Sequence, residues 1–185
     1  MTTIQTLIRK TFFLMFFSLS SVTAANAGQA EDIADLQSFQ LTDAFLTKYQ
    51  AFQEDVAKDP CKLSPLLIMQ RMQSEQVGIS EMAAAYDAQP GVHDVLAHND
   101  LTAKTAILGM ATLMGAAFQD LAAEHPDLVE DEGPSQDLIK TSDANMAFYR
   151  AHKDELQAHQ MKLGREQLER NHGKMPACFS TLGEE

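Results

Sequence analysis

Two histidines, His152 and His159, stand seven positions apart in the segment DANMAFYRAHKDELQAHQMKLGREQLERN. On a helix they share one side with Phe148, Leu156 and Leu163, all within about 80° of one another. Glu155 and Tyr149 fall at the edges of that side. Imidazole is the commonest biological metal ligand, and helical bundles build metal and cofactor sites in their interiors. The sharpest chemistry these residues suggest is therefore haem or copper ligation. Met110, Met114, Met146 and Met161 are the thioether donors available for it.

Spacing argues the other way. Ligands from one helix usually converge at i, i+3 or i+4, and seven residues separate the rings by roughly 10 Å. Such a pair needs further ligands from other helices, and none can be named from the sequence. The plainer expectation is two boundary histidines with hydrogen-bond partners, among methionines that fill a core. No Cys-x-x-Cys-His occurs, which excludes covalent c-type haem.

Other constellations are weaker. His93 and His98 flank a short segment, but His93 and Asp94 are adjacent, and adjacent residues on a helix do not face one another. No Gly-x-Ser-x-Gly, Gly-rich phosphate loop, His-Glu-x-x-His or EF-hand pattern appears. The run Glu130-Asp131-Glu132 reads as a solvated loop between the two longest helices, a position suited to recognising a partner. Nothing here assembles a catalytic site.

The elements that must position these residues are helical throughout. Thr42 reads as an N-cap before Phe45, Leu46, Tyr49, Phe52 and Val56, a one-face stripe that Asp59-Pro60 stops. Ser64-Pro65 opens Leu66-Leu67-Ile68-Met69, and Ser80 caps a segment with Met82, Ala83 and Tyr86. Pro90 opens a brief helix through Val92, Val95 and Leu96. The most apolar helix runs from about Thr102 to Glu124. It holds 15 uncharged residues between Lys104 and Asp120, too few for a membrane span of about 20. Along it Thr105, Gly109, Thr112 and Ala116 form a strip of small residues that admits close approach of another helix. His125-Pro126 ends it, and residues 127–141 form an acidic linker around Gly133-Pro134. Ser142 or Asp143 caps the last helix, which reaches about Asn171. Gly28 to Gln37 reads as a polar lead-in and His172 to Glu185 as a tail. No strand-like alternation occurs. The expected fold is an all-α bundle of four or five helices.

Residues 1–27 have the layout of a secretory signal peptide. Arg9 and Lys10 precede an apolar stretch from Thr11 to Val22, and Ala25-Asn26-Ala27 supplies small residues for cleavage. Cleavage after Ala27 takes 27 residues from 185 and leaves 158. It removes two basic residues and no acids, so the net charge moves from −12 to −14. That charge argues against nucleic acid and anionic lipid as partners. Only Cys61 and Cys178 remain in an exported chain, and the leading expectation is that they pair as a disulfide.

Several segments, in order, resemble uncharacterised, exported, all-helical proteins of proteobacteria. They are LTDAFLTKY, QPGVHDVL, AKTAILGMATLMGAAF, and an Asn-x-x-Phe-x-x-x-His-Lys stretch formed by Asn145, Phe148, His152 and Lys153. The resemblance implies export and an all-helical fold, and no activity or site comes with it. Taken together, the sequence predicts a non-enzymatic helical domain, residues 28–185, in the periplasm or outside the cell. It predicts binding to another protein or an envelope component, with no transmembrane segment after cleavage. The alternative is a haem- or copper-binding bundle using His152, His159 and Met side chains. Under either reading the candidate ligand-binding residues are His152, His159, Tyr149, Glu155 and Met146.

Overall fold

A computed structural model describes residues 27–65, 78–125 and 141–174 together with Pro176 and Cys178. These residues form seven helices: α1 Ala27–Ser38, α2 Asp43–Val56, α3 Pro60–Leu63, α4 Ile79–Asp87, α5 Val92–His98, α6 Ala103–Glu124 and α7 Asp143–Arg170. No strand occurs among the described residues, and the fold is all-α as expected. Those residues hold seven helices where the sequence suggested four or five, because the lead-in and the short Pro60–Leu63 segment are helical too. The signal segment up to Asn26, the helix opened by Leu66-Leu67-Ile68-Met69 and the acidic linker up to Lys140 lie outside the described residues.

The caps explain why the main helices begin where they do. Thr42, Thr102 and Ser142 each hold extended backbone and accept a hydrogen bond from the amide three residues on. Each satisfies one of the donors a helix N-terminus leaves unpaired. Three sequence expectations need correction. Pro90 does not open α5, which begins at Val92 after the left-handed cap residue Gly91. The lead-in Gly28–Gln37 is not an irregular segment but most of α1. Its helical pattern is weak, and tertiary contacts hold it: Leu36 packs on the core and Asp35 pairs with Lys104 of α6 at 2.6 Å. Ser80 does not cap α4. Gly78 is the cap residue, and the capping carboxylate comes from α1, where Asp32 Oδ2 accepts from the Ile79 amide at 2.8 Å. A Cβ at position 78 would sit 2.7 Å from that oxygen, so the residue there must be small.

Helix α6 is the centre of the bundle, packed against α4, α7 and α1. Among the described residues it alone is long and apolar enough to cross a membrane. Its apolar surface is instead largely covered by neighbours, with Ala106, Ile107, Leu108, Met110 and Ala116 all buried. The inner face of α2 supplies an aromatic ladder. Phe45 meets Phe39 edge-on at 5.2 Å and stacks on Tyr49 at 5.3 Å, and Tyr49 leans on Phe52 at 5.9 Å. Tyr86 is fully buried and donates its hydroxyl to the Leu63 carbonyl.

The small-residue strip on α6 meets this ladder. A Cβ on Gly109 would lie 1.9 Å from Cζ of Phe45, a distance no packed structure tolerates. Phe45 cannot swing aside, because Phe39 and Tyr49 hold its ring on two sides. Gly109→Ala is therefore expected to destabilise by about 2 kcal/mol, because overpacking strain outweighs the gain in helix propensity. Urea unfolding checks this, and Phe45→Leu in the same chain should recover part of the loss.

The expected disulfide is present. Cys61 on α3 joins Cys178, 117 residues later, with the Cα atoms 5.6 Å apart. It fastens the segment after α7 to the end of α2 through α3.

Candidate functional site

All five candidate residues lie on α7, but the structure does not bring them together. Met146 and Tyr149 are buried against α6 in a small cluster with Ala116, beside Leu113, Ala117 and Leu156. His152 and Glu155 turn toward α2 instead. The His152 ring stacks on Phe148 at 4.3 Å, with its Nε2 3.1 Å from Asp43 of α2 and its Nδ1 3.0 Å from Glu155. Glu155 Oε1 accepts from Gln50 Nε2 of α2 at 2.9 Å. The group is a polar cross-link between two helices. Hydrogen bonds from His152 and then Gln50 hold the Glu155 carboxyl below its usual range.

His159 sits two helical turns further along the α2 side. Its Nε2 is buried, and among the described residues no hydrogen-bond partner meets it. Burial pushes its pKa down, against the smaller opposing pull of Glu54. Tyr149 is shifted upward, first by burial, as expected of a phenol in a core.

One cluster of ion pairs among the described residues was left out of the sequence reading. Asp120, buried near the C-terminal end of α6, receives Arg150 Nε at 2.9 Å and Lys153 Nζ at 2.6 Å. Lys153 also reaches Glu124 at 2.7 Å. Lys153 first, and Arg150 after it, hold the Asp120 carboxyl below its ordinary range, while burial works against them. The signal was legible in principle. An acid closing a long uncharged run must find a cation if its face is buried, and Arg150 and Lys153 stand three apart on the next helix.

Asn145, named in the sequence only as part of the resembling stretch, is a second buried polar anchor. It is 1% exposed, and its side chain spans to the turn between α1 and α2. Oδ1 accepts from the Leu41 amide at 2.8 Å, and Nδ2 donates to the Phe39 carbonyl at 2.7 Å. The Asn145, Phe148, His152, Lys153 stretch thus has a physical meaning. Asn145 holds the α1–α2 turn, Phe148 supports His152, His152 meets Asp43, and Lys153 pairs with Asp120. One stretch seats the first half of α7 on two neighbours.

These shifts fix a pH dependence. The folded His159 imidazole binds its proton less well than the unfolded one, whose value is near 6.5. As pH falls the unfolded chain takes up that proton first, so stability is full above about 6.5 and declines on acidification below it. Asp120 acts in a lower window. Its contribution is complete above about pH 4, the unfolded value, and is lost as pH falls further. Thermal unfolding across pH should show both declines, and His159→Gln should remove the first only.

Two open depressions border these elements. One, of about 410 Å³, is lined by Gln119, Asp143, Met146, Ala147 and Arg150. The other, of about 200 Å³, lies where Ala57 to Cys61 approach Arg170 and Asn171. Neither is lined by His152 or His159. Among the described residues no group of three or more His, Cys, Asp or Glu side chains gathers as a metal ion requires. The methionines are dispersed as well. Met110 and Met114 belong to the main core, Met146 to the α6–α7 cluster, and Met161 is 59% exposed. No protein-family model, curated protein or solved structure matches the chain.

Proposed function

We propose that the chain is an exported helical protein that binds another protein or an envelope component through the outer face of α7. The observation that carries this reading is the state of that face. Among the described residues Met161 and Leu168 are the exposed large apolar side chains, at 59% and 40%, and at i and i+7 they share one side of the helix. Gly164 lies between them, and a Cβ there would meet nothing within 4 Å. Met and Leu exposed beside an open glycine suit close contact with a partner's side chains. By contrast His152, Glu155, Arg150 and Lys153 are engaged in seating the helix on its neighbours.

The signal-like segment and the oxidised cysteine pair support export to an oxidising compartment, the periplasm or the medium. Cell fractionation with intact mass of the purified chain tests this. The reading expects a mature chain beginning at Gly28 with no free thiol, and a cytoplasmic chain retaining residues 1–27 would overturn it.

A second reading keeps one observation in its favour. Among the described residues nothing pairs with the buried His159 Nε2, and haem or copper bound by His152, His159 and Met side chains would use it. Both nitrogens of His152 face carboxylates, which weighs against it. An absorbance spectrum and metal analysis of protein isolated from its own compartment separate the two. A Soret band or stoichiometric copper would favour the second.

A further inference from the structure

We propose that the Cys61–Cys178 disulfide is a redox-operated latch on the C-terminal half of α7, opened by a dithiol without unfolding the rest of the chain. This goes beyond partner binding and does not depend on it. The two halves of α7 are held very differently. Its first half buries Asn145, Met146 and Tyr149 and carries the Asp120 ion pairs. From Glu155 to Arg170 it buries only Leu163.

At its start Leu156 still packs on the α6–α7 cluster and Glu155 accepts from Gln50, and the ties beyond them run to α2 and its end. Gln160 Nε2 donates to Gln53 at 3.2 Å, Lys162 pairs with Glu54 at 2.6 Å, and Arg170 Nη1 donates to the Ala57 carbonyl at 2.6 Å. The first two are exposed, and exposed polar ties contribute little net stability. The disulfide stands just past this weakly held end. It is also within reach, because Cys61 is exposed on α3, a helix that buries no side chain. A thiolate needs access to a disulfide sulfur, and here access requires no opening of the core.

The step is ordinary thiol–disulfide exchange. A thiolate of the dithiol attacks Sγ of Cys61, the S–S bond breaks, and Cys178 leaves as a thiolate that takes up a proton. The second thiol of the dithiol then attacks the mixed disulfide and releases Cys61. The dithiol ends as a disulfide, and the chain gains two electrons and two protons. With the latch open, the second half of α7 separates from α2 and bares Leu163.

The test treats the oxidised mature chain with dithiothreitol in native buffer. Alkylation and mass analysis count the thiols while amide hydrogen exchange is followed by segment. Two thiols should appear without denaturant. Exchange over residues 156–170 should then rise by at least about tenfold, while 45–52 and 106–116 keep their protection. Reduction only after denaturant is added would overturn the proposal, and so would uniform loss of protection or an α7 that stays protected when reduced. The Cys61→Ala/Cys178→Ala chain should show the same local exchange without dithiothreitol. If it folds with residues 156–170 fully protected, the proposal fails.

Discussion

Replacing Cys61 and Cys178 together with serine is expected to lower the unfolding free energy by about 5 kcal/mol. The two residues are 117 apart, and cross-linking so long a loop removes a large amount of conformational freedom from the unfolded chain. A domain of this size holds about 5–15 kcal/mol in total, so the loss is a large share of its stability. Urea titration of the oxidised chain and the double-serine chain measures it. The slope should also steepen, because the unfolded state without the cross-link exposes more surface. A difference under about 1 kcal/mol would mean that the unfolded chain is already constrained in some other way. This effect acts on the unfolded ensemble, whereas the latch proposed above concerns what the bond holds in the folded state.

Asn145→Leu should cost about 3 kcal/mol, the largest expected effect of a single substitution here. Leucine has the same branching and the same number of side-chain heavy atoms as asparagine, though its methyl groups are bulkier, and it offers neither donor nor acceptor. It would leave the Leu41 amide and the Phe39 carbonyl without their partner, and each unpaired buried group costs about 1–3 kcal/mol. Asn145→Asp separates the two bonds. It keeps an acceptor for Leu41 but sets a buried carboxylate against the Phe39 carbonyl, so near neutral pH its cost should be comparable to that of leucine and should shrink on acidification, where the protonated carboxyl can donate to that carbonyl. The same unfolding measurement checks both. If leucine is neutral, the turn between α1 and α2 is held by something other than Asn145.

Much of the frame was legible in the sequence because it rests on local chemistry. Thr42, Thr102 and Ser142 cap as their residue types suggest, since an N-cap needs only its own hydroxyl and the next turn. The ladder Phe45, Tyr49 and Phe52 follows from 3.6-residue periodicity. Gly109 in an apolar helix announced a close approach, although only the structure identifies Phe45 as the neighbour. What escaped the sequence depends on partners distant in the chain. Helix α1 carries a weak pattern and is held through Leu36, Asp35 and Asp32, whose partners lie in α6 and at the start of α4. Asp32 capping α4 across 47 residues leaves no local mark.

The candidate site shows the same limit more sharply. A helical wheel places His152 and His159 on one side of α7, and they do lie toward α2. It cannot show that Asp43 stands opposite His152, nor that the side chain of Met146 belongs to the α6 interface. Direction around a helix is written in the sequence, whereas the identity of the facing residue depends on how two helices cross.

The central claim is that the outer face of α7 is a recognition surface, and site-specific photo-crosslinking tests it most directly. A photoreactive side chain is placed at Met161, at Leu168, or on the opposite side at Leu163, in cells that export the chain. The account predicts the same discrete adduct from positions 161 and 168 and none from the buried position 163. Absence of an adduct at both outer positions, or equal labelling at all three, would contradict it.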